Sequence, residues 1–152
     1  MSGDIRLRDV EDDDLAEFFA HQRDAEAAQR VRFTPRDHDA FMTHWTTRIL
    51  GDSSVFVQTV TVNGEIAGHV VAWWDGERRF VGYWFGREFW GRGIGTAAVA
   101  ASLERESVRP LYADPAVGNT ASVKLLERCG FRREDGEGQG DEDEFILLVL
   151  AE

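Results

Sequence analysis

At 152 residues, 43% of them apolar and 11% aromatic, the chain has the size and core material of one ordinary domain, and residues 1–152 are read as such. Seventeen basic against twenty-eight acidic side chains give a net charge of −11, a field that repels nucleic acid and sets it aside as a partner. Cys129 stands alone, which excludes an internal disulfide or a cysteine-built metal site and suits a reducing, cytoplasmic setting; no apolar run nears the ~20 residues of a membrane span.

Ile5 and Leu7 alternate as a short first strand. The acids Glu11 to Asp14 then precede Leu15, Phe18 and Phe19, which share one helical face with negative charge at its N-terminus. Thr34 as N-cap, Pro35 at the first helical position and Asp37 three residues after the cap predict a second helix carrying Phe41, Trp45 and Ile49. From Ser54 the period changes. "VFVQTVTV" and "EIAGHVVAWW" flank Asn63-Gly64, a strong hairpin signal, and Asp75-Gly76 leads into "RRFVGYWFG". These turns predict an antiparallel meander of three strands.

Beyond the meander the chain reads as a helix from about Gly95 to Val108, a short strand "PLYAD", a helix from Asn119 to Gly130 and a strand from Phe131. The acidic stretch 134–143 reads as a solvated loop. The last run, "EFILLVL", lacks alternation, as expected of a strand covered on both faces inside a sheet. The resulting order, βααβββαβαββ, is an α+β arrangement with one parallel crossover.

The main chemical signal is "WGRGIGTAAVA", residues 90–100. Gly91, Gly93 and Gly95 let main-chain N–H groups approach an anion without interference from Cβ, and the helix that follows adds its positive dipole end. A diphosphate suits such a turn. From Gly93 the letters satisfy GxGxxA, and Asp114 lies about twenty residues on, as in a dinucleotide site. That fingerprint belongs to serial parallel βαβ units, whereas this turn follows a meander. No GK[ST] occurs, so a Walker loop is excluded.

The block "VGYWFGREFWGRGIGTAAV" resembles the central motif of the GNAT superfamily of acyl-CoA-dependent N-acyltransferases: a strand, a [QR]xxGx[GA] turn and a helix, here with Trp90 in place of the usual Gln or Arg. Trp-Gly-Arg-Gly at this place is similar to the RimJ/RimL-type branch. A second block, "NTASVKLLERCGF" at residues 119–131, resembles the family's NxxSxxxLxxxGF segment. The resemblance covers residues 4–150. It implies a GNAT fold: a mixed, mostly antiparallel sheet of six to seven strands flanked by about four helices, with parallel strands 4 and 5 splayed. It implies acetyl-CoA as cosubstrate, no metal, and direct attack by an amine of a peptide N-terminus or a small molecule. A homodimer is compatible with it.

Carried onto this sequence, the resemblance sets the pantetheine arm between the splayed strands, beside Tyr83, Trp84 and Phe85. The diphosphate then meets the amides of Gly91, Arg92, Gly93, Ile94, Gly95 and Thr96. Asn119 is an N-cap by residue type and matches a cofactor-contacting Asn of the family. Gly130 is expected as a left-handed C-cap with Phe131 as its apolar partner. Lys124 and Arg128 share a helical face and are read as solvent-exposed, with a role near the nucleotide phosphates as the alternative. Many family members carry a tyrosine general acid where this chain has Leu126, and a glutamate where it has Phe80; both roles are vacant. Ser122 matches a serine of the RimL-like branch and is the candidate general acid, with simple polar packing beside the sulfur as the alternative. His21, His44 and His69 are base candidates by chemistry alone and are read as structural. With these vacancies, a non-catalytic acyl-CoA-binding module of the same fold is the alternative function.

Overall fold

The protein is represented by a computed structural model that describes residues 4–24, 36–116, 118–133 and 145–151. Seven strands form one sheet: β1 (Ile5–Arg8), β2 (Phe56–Val62), β3 (Glu65–Asp75), β4 (Arg78–Phe85), β5 (Leu111–Ala113), β6 (Arg132–Arg133) and β7 (Leu148–Leu150). Their spatial order is β1-β2-β3-β4-β5-β7-β6. Four helices are described: α1 (Asp14–Gln22), α2 (His38–Thr43) running on into a π-helical turn (His44–Ile49), α3 (Ile94–Leu103) and α4 (Thr120–Arg128). Asn63 (φ 52) and Gly64 (φ 86) take up the left-handed pair of dihedrals that closes the β2–β3 hairpin.

Alternation along the meander divides the core between two faces. Val60, Val70, Val81 and Phe85 pack against Ile94, Ala98 and Val99 of α3 and against Val123 and Leu126 of α4. On the other face, Leu15 and Phe18 of α1 meet Phe41 and Trp45. Asp14, 1% exposed at the head of α1, fixes that helix to the sheet edge. Its carboxylate accepts from Arg8 Nη1 and Nη2 at 2.7 and 2.9 Å, from the Glu11 N–H at 2.8 Å and from Thr59 Oγ1 at 2.7 Å. Burial alone would raise its pKa, but these donors together hold it below the ordinary carboxylate value.

Three expectations from the sequence need correction. The second helix is capped by Asp37, whose Oδ1 accepts from the Ala40 N–H at 2.8 Å; Thr34 and Pro35 lie outside the described residues. Its regular spacing also gives way to a π turn, closed by Leu50 N–H to Trp45 O at 2.8 Å. The Thr46 and Thr47 hydroxyls there donate to the carbonyls of Met42 and Thr43 at 2.9 and 2.6 Å, competing for acceptors of the α pattern. Helix α3 ends at Leu103 rather than near Val108 because the chain turns to bury Glu106 against Arg79. The stretch 134–143, read as a loop, lies outside the described residues, while β7 sits between β5 and β6 as an interior strand.

One feature of the sheet prepares the site. Strands β4 and β5 run parallel, but they pair only at Arg79↔Leu111 and Phe80↔Tyr112. From Val81 to Phe85, β4 keeps its β3 partner and, among the described residues, has no strand on its other edge, so main-chain donors and acceptors line an opening. The closed end is pinned by a buried ion pair in which both side chains are 6% exposed. Arg79 donates through Nε and Nη2 to Glu106 Oε1 at 3.2 and 2.8 Å and through Nη1 to Ser54 O at 2.7 Å. The Val108 N–H occupies Glu106 Oε2 at 3.0 Å.

Arg79→Met strands a buried carboxylate and is expected to cost about 3 kcal/mol in chemical denaturation, whereas replacing both partners, R79M/E106L, recovers most of that loss. Equal losses in the single and double variants would show that the ion pair itself matters little.

Candidate functional site

Where β4 and β5 part, a cavity of about 700 Å³ opens. Tyr83, Trp84 and Phe85 of β4 form its floor, the turn from Phe89 to Gly93 with the start of α3 forms one wall, and residues of Asn119 to Arg128 form the other. Two helix N-termini meet there in different states. α4 is capped, because Asn119 Oδ1 accepts from the Ser122 N–H at 3.3 Å. α3 has Gly93 as its N-cap, with φ 78 and no side chain to accept. Its first intrahelical bond runs from Ala97 N–H to Gly93 O at 3.2 Å, so the amides of Ile94, Gly95 and Thr96 have no intrahelical acceptor. They gather at the positive end of the helix dipole.

The three glycines do different things. Gly91 and Gly93 adopt φ 73 and φ 78, and an added Cβ would meet nothing within 4 Å at either; glycine is required there for the dihedral, not for space. A Cβ at Gly95 would lie 2.8 Å from Leu125 Cδ1 and 3.4 Å from the Phe85 ring. Gly95 therefore lets α3 close on α4, while its amide stays among those without an intrahelical acceptor. Trp90 ties the turn to the sheet by donating Nε1–H to Phe85 O at 3.0 Å.

Across the cavity the Tyr83 hydroxyl hydrogen-bonds to Ser122 Oγ. The Tyr83 ring lies 5.8 Å from that of Phe85. Burial pushes its phenol up to about 12, against a smaller lowering by the Ser122 hydrogen bond, so it carries its proton throughout the neutral range.

Of the residues singled out in the sequence, Tyr83, Trp84, Phe85, Gly91, Gly93, Ile94, Gly95, Thr96, Asn119 and Ser122 all border this cavity. Arg92 differs. Its guanidinium turns back over the Phe89 ring, 5.7 Å from the centroid, and donates to Glu88 O at 3.4 Å. Lys124 and Arg128, assigned to solvent, are exposed yet stand on the cavity wall. Phe89, Thr120, Ala121 and Leu125 also border it and were not foreseen. Helical spacing from Ser122 would have indicated Leu125, which lies three residues on.

Residues 4–132 match the family model described as an acetyltransferase (GNAT) domain. The chain belongs to the GNAT acetyltransferase family. No protein of curated function matches it in sequence. Solved structures similar to this GNAT chain include spermidine N-acetyltransferase from Vibrio cholerae in complex with CoA and spermine, 16% identical with a TM-score of 0.80 over 97% of this chain and 95% of that one. Aminoglycoside acetyltransferase AAC(6')-Ib in complex with coenzyme A and kanamycin is 20% identical, with a TM-score of 0.80 over 97% and 95%. Mycobacterium smegmatis RimJ in complex with CoA-disulfide is 21% identical, with a TM-score of 0.73 over 99% and 83%. At these identities the likeness is one of fold.

None of the three candidate histidines borders the cavity of this GNAT domain. His21 closes α1 against the end of β4. Its carbonyl accepts from Trp84 Nε1–H at 3.2 Å, and a Cβ at Gly86 would come within 2.8 Å of its Nε2. Burial lowers its pKa against the pull of Glu17 and Glu88. His44 borders a separate cleft, where burial, Arg36 and Arg48 lower its pKa. His69 lies between the rings of Phe18 and Trp45, at 4.7 and 4.8 Å. Among the described residues no group of three His, Cys, Asp or Glu converges as a metal site, and no helix is long and apolar enough to cross a membrane.

Burial pushes His69 down from 6.5 to about 3. Unfolding frees the imidazole to bind a proton at its ordinary value, so its contribution to stability is intact above pH 6.5 and is lost as pH falls towards 3. Urea denaturation at about pH 7 and about pH 5 is expected to show the wild type losing on the order of 1 kcal/mol more than His69→Leu. Parallel losses would mean that His69 titrates normally in the fold.

Proposed function

We propose that this GNAT domain transfers the acetyl group of acetyl-CoA to a primary amine, of a peptide or protein N-terminus or of a small molecule, by direct attack in a ternary complex. One observation carries the reading: β4 and β5 part after two paired residues, and the gap runs onto the uncapped N-terminus of α3. The open edge of β4 suits an extended chain bearing amides, which pairs with it as an added strand would. The amides ahead of Ala97 suit a diphosphate. Pantetheine followed by a diphosphate has these two chemistries in that order. Lys124 and Arg128 offer cations to further phosphate on the same wall.

Acetyl transfer asks for a free amine held in line with the thioester carbonyl, a donor for the oxyanion and a proton for the leaving sulfur. Ser122 is the catalytic residue of this reading, since its hydroxyl stands on the cavity wall in the first turn of α4, where the dipole favours negative charge. Among the structures of similar fold, one acetyltransferase is in complex with spermine and another with kanamycin, which supports an amine acceptor. Trp90 at the turn and the likeness to RimJ support the RimJ/RimL-like branch.

Leu126, at the position of the family's tyrosine, is 1% exposed and faces the core, and Phe80 is 8% exposed at the place of the glutamate. Those two observations favour the second reading, an acyl-CoA-binding module without catalysis. Calorimetry with acetyl-CoA, followed by an acetylation screen over amines and N-terminal peptides with mass-spectrometric detection, separates the two. Binding with transfer supports the enzyme, binding without transfer supports the module, and stabilisation by NAD without CoA binding contradicts both.

Gly93→Val forces a β-branched residue to φ 78, a region closed to it, and distorts the turn that presents the amides. The folded variant is expected to bind acetyl-CoA at least ~10-fold more weakly, equivalent to about 1.4 kcal/mol. Unchanged affinity would remove the turn from the cofactor site.

A further inference from the structure

The roles assigned above leave the phenol of Tyr83 unused. It rises from β4 where β5 has already diverged, and its hydroxyl reaches Ser122 Oγ on α4, with the Ser122 carbonyl at a longer 3.4 Å. Both residues border the cavity, and the neighbouring Phe85 ring packs beside the phenol. A serine hydroxyl has a single hydrogen and rotates freely, and within a helix it is drawn towards nearby main-chain acceptors. To serve a leaving sulfur, that hydrogen must be kept out of the helix and directed into the cavity. Leu126 is buried in the core and has no polar atom, so the help comes from the strand.

We propose that Tyr83 is the positioning residue of the site: it donates its hydrogen to Ser122 Oγ and so leaves the serine's own hydrogen free to meet the sulfur. The proposal rests on the role given to Ser122 above. In the step it serves, the amine lone pair forms the C–N bond and the C–S bond breaks with its electron pair kept by sulfur. The Ser122 hydrogen passes to that sulfur, the Tyr83 hydrogen passes to Ser122 Oγ, and the proton released by the amine restores the phenol through solvent. The products are the acetylated amine and the free thiol. A phenol that stays protonated to about 12 keeps the donor in place over the working range, and a chain of two hydroxyls strengthens each bond in it.

The test compares the intact chain with Tyr83→Phe, Ser122→Ala and the double variant, each first shown to bind CoA. With an acceptor from the screen, Y83F is expected to lower kcat by about 10- to 100-fold while KM for acetyl-CoA changes by less than about twofold. The double variant is expected to be no slower than S122A, because the two groups act in series. A second readout needs no acceptor. In the complex with CoA alone, thiolate absorbance is expected to show the bound thiol ionising at higher pH in Y83F, because a less polarised Ser122 stabilises the thiolate less. CoA binding with an unshifted thiol titration, or an effect confined to KM, overturns this proposal and leaves the functional reading standing. Failure of the unaltered chain to bind CoA overturns both.

Discussion

Arg79, buried between strands, donates to Glu106 and to the Ser54 carbonyl, and fastens the sheet beside the short stretch where β4 and β5 are paired. The rest of the molecule depends on what happens beyond that rivet. β5 is three residues long and gives its other edge to β7, so β4 runs on with one side open. An open main-chain edge within a protein needs either water or a partner. The α3 turn, the first turns of α4 and the side chains of β4 enclose that edge and occupy it at one point, where Trp90 Nε1–H donates to Phe85 O, and a cavity with one strand-like wall is the consequence.

The electrostatics of this cavity oppose those of the whole chain. A net charge of −11 disfavours an anionic ligand at long range, yet charges beyond roughly 8 Å are largely screened at physiological ionic strength. Within that distance the cavity presents the uncapped amides of α3, the dipole end of α4 and the cations of Lys124 and Arg128. The cavity is therefore locally electropositive within an acidic chain. This division also accounts for the caps. Asn119 satisfies its own helix, whereas a side-chain acceptor at position 93 would consume the donors that a diphosphate requires.

Elements dictated by neighbours in sequence were legible. Asn63-Gly64 specified its hairpin. Gly130 and Phe131 specified a Schellman stop, seen in the bonds Gly130 N–H to Glu127 O and Phe131 N–H to Leu126 O, both 3.0 Å. Where the outcome depended on distant partners, local signals failed. The choice of Asp37 over Thr34 as a cap has no decisive local cue, since both residue types cap well. The early end of α3 depends on Arg79, 27 positions from Glu106. That Gly95 also packs against Leu125 of α4 could not be read from the glycine turn alone. The Tyr83–Ser122 contact joins residues 39 apart and leaves no periodicity to detect.

The central claim is that the parted strands and the α3 turn form one continuous cofactor site. Amide hydrogen exchange measured with and without saturating acetyl-CoA tests it most directly, because the open edge of β4 and the first amides of α3 lack main-chain partners that would otherwise slow exchange. The account predicts new protection in two separated segments, 81–85 and 91–96, together with the first turn of α4. Protection confined to α1 and α2, or none in these segments at saturation, would contradict it.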